Sequence, residues 1–159
     1  MNRYLIVATE DELRLPFAVA ALQNNYRHPI VTGVGATNVI ESLRKLPFCS
    51  DILNVGYCGS NRYPVGSVVW IGCTRLWHPN VDFREEVYSL STEEAICLTA
   101  GDFVLDGEDM PAKSVVDMEL AYIAAFGFRT LAAVKYVSDN LNLKQYNQTI
   151  KNTHENLKG

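Results

Sequence analysis

Three carboxylates in this sequence stand where a side chain could do chemistry: Glu12 in ATEDEL, Glu119 in VDMELAYIA and Asp139 in VKYVSDN. Each follows a short apolar run and precedes a helix-like stretch, which puts each at the carboxyl end of a strand. Acids gathered there suit general acid–base work, one donating a proton while another orients a nucleophile. Each also has an ordinary explanation. Glu12 alone reads as a solvated acid in a first helical turn, favoured by the helix dipole. Asp139 alone reads as the cap of a terminal helix. Glu119 is harder to set aside, because it closes the run Val115–Val116 and opens a helix packed through Leu120, Ile123 and Ala124. A lone buried carboxylate costs too much there, so it must be exposed, paired or used. Taken together, the three acids fit one site better than three independent caps.

The elements that must position them follow from periodicity. Strands are expected at 4–8, 29–34, 52–55, 65–76, 95–99, 115–118 and 131–137. Helices are expected at 10–25, at 36–46 with Val39, Ile40 and Leu43 on one face, and at 143–157. The runs ILNV and LAAVKYV are apolar at nearly every position, which suits central parallel strands covered on both faces. The alternation predicts an α/β fold, a three-layer αβα sandwich with a mixed, largely parallel central sheet. The length of 159 residues predicts a single domain spanning 1–159. In such folds the site lies at the carboxyl ends of the strands. Gly33, Gly35 and a glycine turn Gly56-Tyr57-Cys58-Gly59-Ser60 fall at the same edge. A glycine interrupting the 65–76 run is a candidate bulge, and 79–94 is the least regular stretch, a crossover or exposed loop.

Composition excludes several classes. The net charge of −4 argues against a basic nucleic-acid surface. No apolar run is long enough to span a bilayer. The first apolar stretch, Leu5 to Thr9, gives way at once to acids, unlike a signal peptide, so a cytoplasmic protein is expected. Cys49, Cys58, Cys73 and Cys97 show no CxxC pairing and no histidine cluster, so neither a zinc site nor a disulfide framework is expected. At least three should be buried thiols, while Cys58, between glycines, could be partly reachable. His28 and His154 read as surface residues, and His78 as structural. GVGATN (33–38) lacks the third glycine of a dinucleotide loop and reads as a tight strand-to-helix turn.

Seven motifs in order resemble the purine nucleoside phosphorylase and uridine phosphorylase superfamily, nearest to its 5′-methylthioadenosine/S-adenosylhomocysteine nucleosidase branch. ATEDEL (8–13) is similar to the branch's small-residue turn and acidic run, and VTGVGATNV (31–39) to its TGVG turn. NVGYCGS (54–60) resembles the strand and glycine turn, and VGSVV (65–69) the VGDVV strand start. AGDFVLDG (100–107) resembles GDAFI, VDMELAYIA (116–124) resembles VEMEAxAIA, and VKYVSDN (134–140) resembles VRxISD.

That resemblance implies a nucleoside phosphorylase-like fold and cleavage of an N-ribosidic bond in a purine, adenine-type nucleoside. It implies Asp139 as the acid that protonates purine N7, with a pKa raised by burial or by nearby acids, and Glu12 as the acid that activates water. It implies Glu119 as the holder of the ribose hydroxyls with Met118 packed on the sugar, and Phe103, Val104 and Leu105 beside the base. Gly56 and Tyr57 fall in the substrate-side turn, where Tyr57 replaces a small residue. Lys135 stands where the branch carries arginine, and a lysine cannot reproduce a planar bidentate contact. A homodimer or higher homo-oligomer is implied, and no metal or organic cofactor. Phosphorylases of the superfamily carry a GDPxR-type first turn. This chain has ATEDE instead, which favours water over phosphate, although Arg62 and Arg75 remain candidates to reach phosphate. A phosphorylase and a non-catalytic nucleoside-binding relative are the alternatives. The chain is also shorter than usual members, chiefly between Val69 and Gly101 and between Gly107 and Ser114.

Overall fold

The computed structural model describes residues 2–26, 28–77, 87–101 and 110–141. The expected terminal helix, His78 and His154 lie outside the described residues.

The chain opens with β1 (Arg3–Val7), whose last three residues are fully buried. The single helix expected at 10–25 is two pieces, a 3₁₀ turn (Glu10–Arg14) and α1 (Pro16–Gln23). Pro16 explains the break. It holds Leu15 in an extended conformation (φ −63°, ψ 142°) and itself makes a good first helical residue. β2 (Ile30–Val31) is shorter than expected, and α2 (Ala36–Leu43) buries Val39 and Leu43. Ile40, expected on the same face, is 48% exposed, because the buried stripe is the i, i+4 pair Val39 and Leu43 and Ile40 lies about 100° round the helix from Val39.

β3 (Asp51–Gly59) runs straight through the stretch expected to be a glycine turn. Pairing keeps it extended: Gly56, Tyr57 and Cys58 lie opposite Lys135, Tyr136 and Val137 of β8 (Thr130–Asp139), with a register shift only at Cys58/Gly59. Cys58 is therefore buried, not reachable as expected, and burial pushes its thiol up to about 12. Cys97 is buried too, Cys73 is partly covered and Cys49 is exposed, so two of the four thiols are fully buried.

β4 (Val68–Trp77) pairs antiparallel with β8 and with β5 (Val87–Ser89), a strand inside the stretch expected to be irregular. β6 (Ala95–Ala100) lies parallel to β4, and β7 (Ser114–Asp117) parallel to β6. β7 then meets β3 antiparallel at Gly59↔Val116. The ring β3-β8-β4-β6-β7 thus closes on itself, while β1 and β2 extend the sheet in parallel beyond β3. The result is a mixed α/β fold around one eight-stranded sheet.

The two faces of β1 and β3 are buried differently. Leu5, Val7, Leu53 and Val55 pack under α1 through Leu15, Ala18 and Ala21. Ile6 and Ile52 pack under α2 and α3 (Leu120–Ala124) through Val39, Leu43 and Ile123. Each such fully buried aliphatic side chain is worth about 1.5–3 kcal/mol, so the strand edge carrying the acids stands on a packed core. No helix among the described residues is long and apolar enough to cross a membrane.

The bulge expected at a glycine is found at Gly72, where the β4–β6 register shifts between Ile71 and Cys73. A Cβ there would overlap the Glu93 carbonyl, and the Gly72 carbonyl accepts the amides of Leu90 and Ser91 at 2.7 and 3.1 Å. Gly72→Ala should therefore lower unfolding free energy by about 2 kcal/mol or more. Urea denaturation checks this through a lower midpoint at unchanged slope.

Candidate active site

The carboxyl ends of β1, β3, β7 and β8 surround a cavity of about 250 Å³. Glu12, Tyr57, Met118, Glu119 and Asp139 all line it, so five residues singled out in sequence meet in one place. Gly56 and Lys135 are not on its surface but directly behind it. Phe103, Val104 and Leu105, expected beside the base, lie outside the described residues.

Glu12 is buried, not solvated. The 3₁₀ turn brings its side chain back over the end of β1, where Oε1 accepts the Ala8 and Thr9 amides at 2.8 and 3.0 Å. Oε2 accepts the Tyr57 amide at 2.6 Å, tying the turn to β3. Gly56 makes this approach feasible, since a Cβ there would stand 2.7 Å from Glu12 Oε2 and 3.3 Å from Lys135 Nζ. A second close approach is at Gly59, where a Cβ would stand 2.8 Å from Asp139 Oδ1.

Glu119 is the residue before α3, with φ −132° and ψ −39°. Its Oε2 is buried without a hydrogen-bond partner. Burial raises its pKa to about 8, assisted by Asp117 and Glu12 and opposed by Lys135. Asp139 is exposed at the end of β8, so the burial expected to raise a general acid is not present around it. Its Oδ1 accepts the Leu141 amide at 3.0 Å, which fixes the carboxyl orientation.

Asp117, not singled out in sequence, forms the floor. Lys135 Nζ lies 2.9 Å from its Oδ2, with both side chains almost fully buried at 2% and 1%. Oδ2 also accepts the Leu120 amide at 2.8 Å, and Oδ1 accepts the Thr99 hydroxyl at 2.6 Å. Burial pushes the Asp117 carboxyl up, but Lys135 and Thr99 outweigh it and hold it below the usual carboxylate range. Burial alone would lower Lys135, and Asp117 more than reverses this. Lys135 is therefore committed to Asp117, and the substrate contact expected of it is not what its placement provides. The signal for this pair was a lone lysine inside LAAVKYV. A charge in a strand covered on both faces needs an opposite charge, and Asp117 ends the neighbouring apolar run.

The cavity is thus lined by four carboxylates, Glu12, Asp117, Glu119 and Asp139, and by no arginine, lysine or histidine among the described residues. Arg62, a candidate for phosphate, spends Nε and Nη2 on the Met110 carbonyl at 3.1 and 2.6 Å. Arg75 sits on β4 between β5 and β6, away from the cavity. Cys58 lines the cavity, but as a buried thiol with its pKa near 12 it is no nucleophile. No group of three histidine, cysteine or acidic side chains suited to a metal ion occurs among the described residues.

No protein-family model matches the sequence, and no curated protein matches it. Solved structures do. A Streptococcus pneumoniae MTA/SAH nucleosidase in complex with 8-aminoadenine superposes with a TM-score of 0.67 at 19% identity, over 91% of this chain and 88% of that one. The nucleosidase (MTAN) of Chlamydia trachomatis gives 0.66 at 17% identity, over 91% and 89%. Futalosine hydrolase of Helicobacter pylori gives 0.67 at 13% identity, over 91% and 87%. The chain therefore has the fold shared by the MTA/SAH nucleosidases and futalosine hydrolase, as the order of its motifs implied.

Proposed function

We propose that the chain is a nucleoside N-glycosidase that cleaves the ribosidic bond of a purine, adenine-type nucleoside with water. The observation that carries this reading is the cavity lined by four carboxylates and, among the described residues, by no arginine, lysine or histidine. Phosphate, a dianion at neutral pH, would find no cationic side chain to hold it on this wall and would face the ionised Glu12. Water meets none of that penalty.

The residues divide the work. Breaking the bond between C1′ and the purine nitrogen leaves its electron pair on the base and positive character on the sugar. Asp139 donates its proton to purine N7, and the bound base covers this exposed acid. Glu12 is held by three amides and keeps lone-pair capacity on Oε2 to orient water toward C1′ and take its proton. The unpartnered Oε2 of Glu119 is completed by a ribose hydroxyl. With its pKa near 8, Glu119 binds as the neutral acid at pH 7, donating to one hydroxyl and accepting from another. Met118 packs on the sugar, Tyr57 borders it and Gly56 leaves room for Glu12, while the motif resemblance assigns Phe103, Val104 and Leu105 to the base.

The same reading takes residues 1–159 as one nucleoside phosphorylase-like domain with a three-layer αβα arrangement, supported by helices on both faces of β1 and β3. It includes a cytoplasmic location and a homodimer or larger homo-oligomer. Phe17 and Trp70, edge-to-face at 5.1 Å and both partly exposed, offer an apolar surface for that association.

Release of free base should be measured from a panel of purine nucleosides that includes 5′-methylthioadenosine, with and without phosphate. Release independent of phosphate is expected, with kcat reduced about 10²–10⁴-fold in Asp139→Asn. Release only with phosphate would make the protein a phosphorylase, and nucleoside binding without release a non-catalytic relative.

Gly56→Ala, which wedges a methyl between Glu12 and Lys135, should leave the chain folded by circular dichroism and reduce turnover about tenfold or more.

Glu119 also sets a pH dependence of stability. An acid whose folded pKa lies near 8, against an ordinary 4.5, favours the folded state at low pH and loses that contribution as pH rises between those values. Urea midpoints should fall from pH 5 to pH 8 in the parent chain, and Glu119→Gln should flatten that slope.

A further inference from the structure

Asp117 and Lys135 form a buried ion pair that the proposed reaction does not use. We propose that Asp117 is a positioning residue for this site, fixing both the place of Glu119 and the charge it faces. The inference rests on reading Glu119 as the sugar-binding acid.

The geometry has two arms. Mechanically, Asp117 Oδ2 accepts the Leu120 amide at 2.8 Å, while Thr99 Oγ1 donates to Asp117 Oδ1 at 2.6 Å and accepts the Ala121 amide at 2.9 Å. The first two amides of α3, orphaned in any helix, are thus both satisfied from β6 and β7. Glu119 immediately precedes them, so its backbone is anchored on one side by β7 and on the other by this two-residue clamp. A sugar-binding acid needs such a fixed approach, since a displacement of about 1 Å can cost a hundredfold in rate.

Electrostatically, Asp117 keeps Lys135 occupied. Left alone, that ammonium would turn to the nearest other acid, and Glu119 and Glu12 are the candidates: Nζ lies 3.3 Å from where a Gly56 Cβ would stand, the point that Glu12 Oε2 approaches at 2.7 Å. The groups that face Glu119 are Asp117 on β7, Lys135 on β8 and Glu12 on the 3₁₀ turn. Asp139 on β8 and Cys58 on β3 share the cavity wall. By absorbing the Lys135 ammonium behind the wall, Asp117 leaves Glu119 unpaired and able to keep its proton for the ribose.

The test is carboxyl ¹³C NMR titration of the full chain, with the Glu119 signal assigned through Glu119→Gln. It does not depend on turnover, so it stands apart from the base-release assay. In the parent chain Glu119 should titrate near 8. In Asp117→Asn, which keeps the shape and frees Lys135, the midpoint should fall by about one pH unit or more. An unchanged midpoint in the folded variant overturns the electrostatic arm. Since an unpaired buried lysine can prevent folding, Thr99→Val is the second variant. It removes the Thr99 half of the clamp, on the Ala121 amide, without changing charge, so Glu119 should still titrate near 8 while affinity for 5′-methylthioadenosine falls about tenfold. Parent-like affinity in Thr99→Val overturns the mechanical arm, because a merely structural threonine would lower the melting temperature and leave affinity intact.

Discussion

The buried ion pair between Asp117 and Lys135 is the constraint on which the rest of the site depends. Two charges removed from water repay their desolvation only when close and fully hydrogen-bonded, and removing one partner typically costs about 3–5 kcal/mol. Here the ammonium lies 2.9 Å from Oδ2, and the remaining acceptor capacity of Asp117 is taken by Leu120 and Thr99. The pair links β7 to β8, two strands that share no ladder with each other, across the interior of the closed ring. It is both a strut and the floor of the cavity.

Closure of the ring explains why acids distant in sequence converge. β7 meets β3 at Gly59↔Val116, and β3 carries β8 along its whole length, so the ends of all three strands fall together. Glycine at 56 and 59 lets carboxylates of neighbouring elements approach the β3 backbone more closely than any side chain would permit. The acids on this edge are then not equivalent. Glu12 is locked by three amides, Asp117 by an ion pair, Glu119 is half-buried with an orphan oxygen, and Asp139 is exposed. Four environments for one functional group are what a division between proton donor, base and binder requires.

Much of this was legible in the sequence because parallel strands buried on both faces announce themselves as unbroken apolar runs, and acids at their ends stand out. The meeting of Glu12, Tyr57, Met118, Glu119 and Asp139 follows from that. What was not legible depends on contacts across strands. GYCGS looks like a turn because two glycines normally break a strand, yet pairing with β8 keeps it extended, and its glycines serve close approach. β5 was hidden because three residues on an edge give no period. Lys135 was expected to contact substrate because it matches the branch's arginine, and a motif match says nothing of depth; the ladder places it opposite Gly56, and its ammonium faces Asp117. The split of the first helix was legible after all, in Pro16.

A cavity lined by carboxyl groups, with Lys135, the cation behind it among the described residues, already paired, favours water as the nucleophile. Cleavage of 5′-methylthioadenosine in ¹⁸O-enriched water, with immediate borohydride reduction of the released sugar, tests this most directly. One ¹⁸O at C1 of the reduced sugar, with free adenine in equal amount, is the expected result. A sugar phosphate carrying no ¹⁸O at that carbon, or adenine release that stops when phosphate is removed, would contradict it.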